Sequence, residues 1–223
     1  MNLQKTVEST SSNLQFVLQL YTNILNEWLQ YQKTIGVDHI HMIADNTFEE
    51  AGGFENEYLK QAIQEGFVSI DVWHRWLNDS QVWYHSQGLA YQDCVYRFRG
   101  QYEYMFMLDT DDFFIPAVLG ESKLPYYIEK YNCYDGTYEF EWIYFYPDCG
   151  MEGSMAQDGN ITKLLVSNKS WKHFKKSLHY LPLLLDANVH TRGRKLASWT
   201  LRIPKEEAYV AHMRKGMKPK QGC

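Results

Sequence analysis

Three carboxylates crowd a short stretch of this chain: Asp109, Asp111 and Asp112, in the segment MFMLDTDDFFIP. Asp109 and Asp111 are two residues apart, just after the apolar run Tyr104 to Leu108. A tight turn there brings both carboxylates to one point. Like charges so close repel one another unless water or a cation compensates. A hard divalent cation with oxygen ligands suits such a cluster, and Mn²⁺ also accepts imidazole. His190 and His212, in the C-terminal half, are candidates to complete a shell begun by Asp109 and Asp111. Arg214 and Lys215 place cations beside His212, and such groups bind phosphate oxygens well.

These residues need elements to position them. Ile24, Leu25, Trp28 and Leu29 share a helical face, and Gly36 stops the helix. Leu14 to Leu20 reads as a strand before it, and Val37 to Ile43 as a strand after it, stopped by Asp45-Asn46. Asn56 to Glu65 reads as a helix and Phe67 to Trp73 as a strand with alternating apolar residues. His85 to Arg99 carries a stripe of Ala90, Tyr91, Cys94, Val95 and Phe98. Tyr104 to Leu108 shows no alternation, so it is expected as a central strand buried on both faces, between or beside the strands at 37–43 and 67–73. This strand–helix order predicts an α/β fold with a mainly parallel sheet. Ligands of such sheets bind at the C-terminal strand ends, where Asp45, Asn46, Asp109 and Asp111 would converge. Beyond Pro116 the pattern is less regular, with a long aromatic strand at Thr137 to Phe145 and a further one at Ala208 to Ala211.

The 223 residues suit one well-buried domain, read as a polar lead-in at 1–13 and a domain at 14–223, with halves at about 14–116 and 117–215. A net charge of −5 implies no broad basic surface for nucleic acid. No apolar run reaches the length that spans a bilayer. The four cysteines, Cys94, Cys133, Cys149 and Cys223, form no Cys-x-x-Cys pair, which argues against a thiolate zinc site. Sequons at Asn78, Asn160 and Asn168 matter only in a secretory setting.

Several segments, in order, resemble glycosyltransferase family 92 (the DUF23 group). They are Glu27-Trp28, Tyr31-Gln32, Ile35-Gly36-Val37, Asp45-Asn46, Gln87/Ala90/Asp93-Cys94, and Asp109-Thr110-Asp111-Asp112-Phe113 with Pro116. Weaker echoes follow at Trp142 and Phe145, Lys176-Ser177, Val189-His190 and His212-Met213-Arg214. The resemblance implies an A-type glycosyltransferase fold, Rossmann-like, with helices on both faces of the sheet. It implies transfer of a sugar with inversion from a nucleotide-sugar, UDP-galactose, to a glycan acceptor, supported by Mn²⁺ or another divalent cation. On this reading Asp109, Asp111, His212 and His190 form the metal set. Asp45, Asn46, Gln87, Asp93, Asp109 and Arg214 would contact the nucleotide-sugar.

The chain departs from the family pattern in four places, one of them Asp112 where a Glu is usual. Leu20-Tyr21-Thr22-Asn23 lacks the charges usual near the donor base, Gln32 stands where a His is usual, and the Trp142 to Gly150 segment differs near the acceptor. Asp148 and Glu152 are the local carboxylates there and the candidates for a catalytic base. These departures keep a second reading open, a glycan- or nucleotide-sugar-binding module without turnover. A metal-dependent phosphohydrolase is a third, but it needs a second metal site or a water-activating group, for which the sequence offers no further His/Asp cluster near by. Relatives are commonly anchored in the Golgi by an N-terminal helix. Localisation is therefore open between the secretory pathway, for a trimmed catalytic domain, and the cytoplasm, for a soluble form.

Overall fold

The computed structural model describes residues 25–45, 48–49, 52–73, 87–117, 123–131, 136–145, 170–186 and 199–213. The strand expected at Leu14 to Leu20 lies outside them. Helix α1 occupies 25–34. It ends at Gly36, whose φ of 88° is left-handed backbone that glycine adopts without a Cβ penalty. Strand β1 (Ile40–Asp45) runs parallel to β2 (Val68–Trp73), with Ile40 opposite Val68. Between them α2 (Glu57–Gln64) is capped by Asn56, whose side chain accepts from the Leu59 N–H. Helix α3 (Gln87–Phe98) follows, and its expected stripe is the buried one at Ala90, Cys94 and Val95.

The remaining strands build a second, larger sheet. They are β3 (Tyr104–Phe106), β4 (Asp112–Pro116), β5 (Thr137–Phe145), β6 (Ser170–Tyr180), β7 (Thr200–Arg202) and β8 (Ala208–Met213), with α4 (Leu124–Tyr131) between β4 and β5. Their order is β3-β6-β5-β8-β4, and β7 also pairs with β5. The sheet is mixed, which corrects the expectation of a mainly parallel one. Pairs β3–β6, β4–β8 and β5–β6 are antiparallel, whereas β5–β7 and β5–β8 are parallel. The regular strand–helix alternation that forces parallel pairing stops at β4. The successive strands β5 and β6 then pair antiparallel, which needs no helical crossover.

The second correction concerns Tyr104 to Leu108. Only Tyr104–Phe106 is strand, and it lies at the end of the six-stranded order, paired with β6 and not with β1 or β2. Its unbroken hydrophobicity has another cause. Tyr104 and Phe106 pack on one apolar cluster, with Phe114, Tyr138 and Phe140. Met105 packs on a different one, with Val95, Leu181 and Leu184. An edge strand covered on both faces has the same apolar signature as a central strand.

The larger sheet is also covered on both faces. Phe114 and Val210 face a cluster shared with Leu124 and Tyr127 of α4. Their neighbours Phe113 and Ala211 face the opposite cluster, with Leu25, Trp28 and Leu29 of α1, Leu59 and Ala62 of α2, and Ile40 and Val68 of the small sheet. Helix α1 also closes the β4 edge. Trp28 Nε1 donates to the Asp112 carbonyl at 2.8 Å, and the Tyr31 hydroxyl donates to the Phe114 carbonyl. Those carbonyls are two residues apart and so point the same way. A single helical face thus satisfies an edge that would otherwise be open for pairing.

Candidate functional site

The acidic cluster sits where β4 begins. The Asp112 N–H donates to the Asp109 carbonyl at 2.9 Å, closing a four-residue turn. The Asp109 N–H in turn donates to Asp112 Oδ2 at 3.0 Å. The turn is therefore tied at both ends by Asp112. Opposite it in the ladder lies His212 of β8, and cross-strand partners place their side chains together. His212 Nδ1 is 2.8 Å from Asp112 Oδ1 and 3.4 Å from Asp111 Oδ1. One ligand atom each from Asp109, Asp111, Asp112 and His212 lies within 4.8 Å of the others.

Asp112 has no solvent exposure. Its Oδ1 accepts from Trp142 Nε1 at 2.7 Å as well as from His212, and its Oδ2 lies 2.8 Å from Lys176 Nζ. Burial alone would raise its pKa. The His212 hydrogen bond and the Lys176 charge outweigh burial and hold it below the ordinary carboxylate range. Lys176 also reaches Asp109 Oδ2 at 2.9 Å, and its Nζ stands 5.0 Å from the centre of the Trp142 ring. Burial works against its charge, but Asp112 and Asp109 raise its pKa, so it remains an ammonium. Asp111 behaves differently. Burial pushes its pKa up to about 6, with His212 opposing and the charges of Asp112 and Asp109 adding to the rise. A desolvated carboxylate beside two others gains from an added cation.

The donor set fits a divalent ion such as Mn²⁺: carboxylates and an imidazole converge on one point, with no thiolate among them. Of the residues expected at the site, the structure brings together Asp109, Asp111 and His212. His190, Arg214, Asn46, Asp148 and Glu152 lie outside the described residues, as do the side chains of Asp45 and Gln87. Asp45 ends β1 and Gln87 opens α3. Asp93 takes part in a different pairing, accepting from Arg97 Nη2 at 2.7 Å. Sequence reasoning missed Lys176 and Trp142 as site residues. The available signals were the weaker family echoes at Trp142 and Lys176, and a lysine in the middle of a strand two residues from Leu178, where alternation calls for an apolar side chain.

Two comparisons bear on this arrangement. Over 139 residues the chain is 28% identical to galactan beta-1,4-galactosyltransferase GALS2 of Arabidopsis thaliana. That stretch is 52% of this chain and 26% of the relative, so the chain spans about a quarter of the relative's length. The family profile reaches much further, matching glycosyltransferase family 92 across residues 9–221. This range takes in both the Asp109–Asp112 turn and His212, so the chain belongs to glycosyltransferase family 92.

Proposed function

We propose that the chain transfers a sugar, galactose, from a UDP-sugar to a glycan acceptor with inversion, on an A-type glycosyltransferase fold. The observation that carries this reading is the convergence of Asp109, Asp111 and His212 in a chain of this family. Asp111 and His212, with Asp109, would hold Mn²⁺ or another divalent cation. When bound, the ion would offset the negative charge that develops on the diphosphate leaving group.

The chain's own residues support that role. Asp112 is an acceptor when ionised, so the 2.8 Å contact makes His212 Nδ1 the donor and puts the ring lone pair on Nε2. The Trp142 ring lies 4.6 Å from the His212 ring, centre to centre, and fixes its plane further. The turn between Asp109 and Asp112 presents Asp111 from a backbone tied at both ends. Inversion is a single displacement: the acceptor oxygen bonds to the anomeric carbon, the bond to the diphosphate breaks, and a base takes the hydroxyl proton. Asp148 and Glu152 are the candidates for that base.

The test is Mn²⁺-dependent binding and turnover of UDP-galactose with glycan acceptors. Asp111→Ala is expected to lower turnover by on the order of 100-fold and to abolish Mn²⁺-supported nucleotide binding in calorimetry, with an unchanged melting temperature. Equal nucleotide affinity in variant and wild type would end the assignment. Metal-dependent donor binding without transfer to any acceptor would favour the binding-module reading.

A further inference from the structure

Lys176 has no place in the transfer chemistry above, yet it is fully buried in the middle of the site. Its side chain has no exposure, and neither has that of Asp112. It comes from β6, where it lies opposite Phe140 of β5, next to the Tyr138–Leu178 pair. Its neighbours on that side of the sheet, Tyr138, Phe140 and Leu178, belong to one core cluster, and Asp112 and His212 lie further along the same face. An ammonium is costly there unless its charge is compensated. Lys176 reaches Asp109 Oδ2 at 2.9 Å and Asp112 Oδ2 at 2.8 Å. Those residues are the two ends of the turn that presents Asp111. One buried cation therefore spans the turn from beneath.

The charges add up simply. Asp109, Asp111 and Asp112 contribute three negative charges when ionised, and Lys176 returns one. The remainder is −2, which one divalent ion neutralises. We propose that Lys176 is a positioning residue that serves as the resident counter-cation of this site: it holds Asp109 and Asp112 together without metal and limits the charge left for an incoming ion. The inference rests on the reading of the cluster as a divalent-cation site. It assigns the site a metal affinity set by a fixed positive charge as well as by its ligands.

A counter-cation repels the ion it shares carboxylates with. Even at the dielectric of water, a unit charge about 5 Å from a dication alters binding by roughly tenfold. The experiment is Mn²⁺ titration of the full chain by calorimetry, with melting temperature read with and without Mn²⁺. Lys176→Gln removes the charge and keeps a donor, whereas Lys176→Arg keeps the charge. Lys176→Gln is expected to bind Mn²⁺ at least about tenfold more tightly than wild type, and to gain more in melting temperature from Mn²⁺. Lys176→Arg is expected to stay within about threefold of wild type, because the charge remains. A packing role alone predicts a lower melting temperature for Lys176→Gln by the same amount with and without Mn²⁺, and unchanged affinity. That result overturns the inference, as does weaker binding by Lys176→Gln.

If Lys176→Gln folds under neither condition, the wild type decides. With ¹⁵N-labelled lysine, a buried ammonium gives a slowly exchanging signal that is missing from Lys176→Arg. The signal is expected to persist and move on saturation with Mg²⁺. Its loss, or no movement, overturns the inference. A wild type that binds neither Mn²⁺ nor Mg²⁺ overturns the metal reading itself and this inference with it. Binding by the wild type with no effect of Lys176→Gln overturns this inference alone.

Discussion

Asp71 with Asp93, and Asp109 with Asp112, are each bridged by one basic side chain, and water separates the fates of these two pairs. On β2 and α3, Asp71 and Asp93 share the guanidinium of Arg97, with side chains 33%, 36% and 41% exposed. Between β4 and β6, Asp109 and Asp112 share the ammonium of Lys176, and both Asp112 and Lys176 have no exposure. The first bridge is solvated and screened, so it only tethers a helix to a strand. In the second, Asp109 is 32% exposed, but Asp112 and Lys176 cannot recover their hydration if the other is lost, so those two charges depend on one another. Chemically similar bridges therefore differ in what they contribute, and the buried one is where a metal site is proposed.

The strongest way to break this comparison is Asp112→Ala. It removes the acceptor for Trp142, His212 and the Asp109 N–H, and takes from buried Lys176 its buried carboxylate, leaving it the partly exposed Asp109. The expected loss is about 3–5 kcal/mol by chemical denaturation, the usual cost of removing one member of a buried ion pair. Domain stabilities are only about 5–15 kcal/mol, so the variant should be marginal at 37 °C. A loss below about 1 kcal/mol would place this bridge in the same class as Arg97.

Arg97→Ala tests the other side. The pairs to Asp71 and Asp93 are partly exposed, and exposed pairs contribute about 0–1 kcal/mol. The expected loss is within that range and should shrink in high salt as screening grows. A loss matching that of Asp112→Ala would mean that burial is not what separates the two bridges.

The sequence made part of this contrast visible. Asp109 and Asp111 are legible as chemistry because their type and their place after a strand point to a cation, and His212, inside β8, because imidazole can share such an ion and the family resemblance points to it. The element boundaries of α2, β2 and α3 follow from periodicity and caps. Lys176 and Trp142 were not legible as members of the site, since β6 and β5 bring them to Asp112 from 64 and 30 residues away. No local pattern encodes a contact at that separation. The position of Tyr104–Phe106 failed for another reason. Periodicity reports whether both faces are covered, and two apolar clusters partly cover this edge strand on its two faces, which leaves the same unbroken apolar run as a central strand. The roles of Trp28 and Tyr31 belong to the same class: their spacing reads as an apolar helical face, while the hydrogen bonds to β4 depend on a strand more than 80 residues later.

The smallest effect sharpens the comparison at the solvated bridge, where a histidine sits against it. His41 Nδ1 contacts Ser69 Oγ at 2.9 Å, and its Nε2 is 3.7 Å from Asp71 Oδ2, beyond hydrogen-bond reach. Phe98 of α3 covers the ring, with centroids 4.8 Å apart. Burial lowers the His41 pKa below its ordinary value; Asp71 and Asp93 oppose this, and Arg97 and His39 reinforce it. The unfolded chain takes up a proton near pH 6.5, where the folded imidazole still resists it. The unfolded state then binds more protons, so stability rises with pH through the window just below 6.5 and falls as the solution is acidified. In His41→Phe this contribution is absent, so the stability difference between wild type and variant should move against the wild type from pH 7.5 to 5.5. Arg97→Ala should lessen the acid loss, because removing the guanidinium lets Asp71 stabilise the imidazolium. A proton-NMR titration of the His41 ring checks this directly: its pKa should rise in Arg97→Ala. No rise would mean that Arg97 does not compete with His41 for Asp71, and that the solvated bridge is weaker still than the comparison assigns.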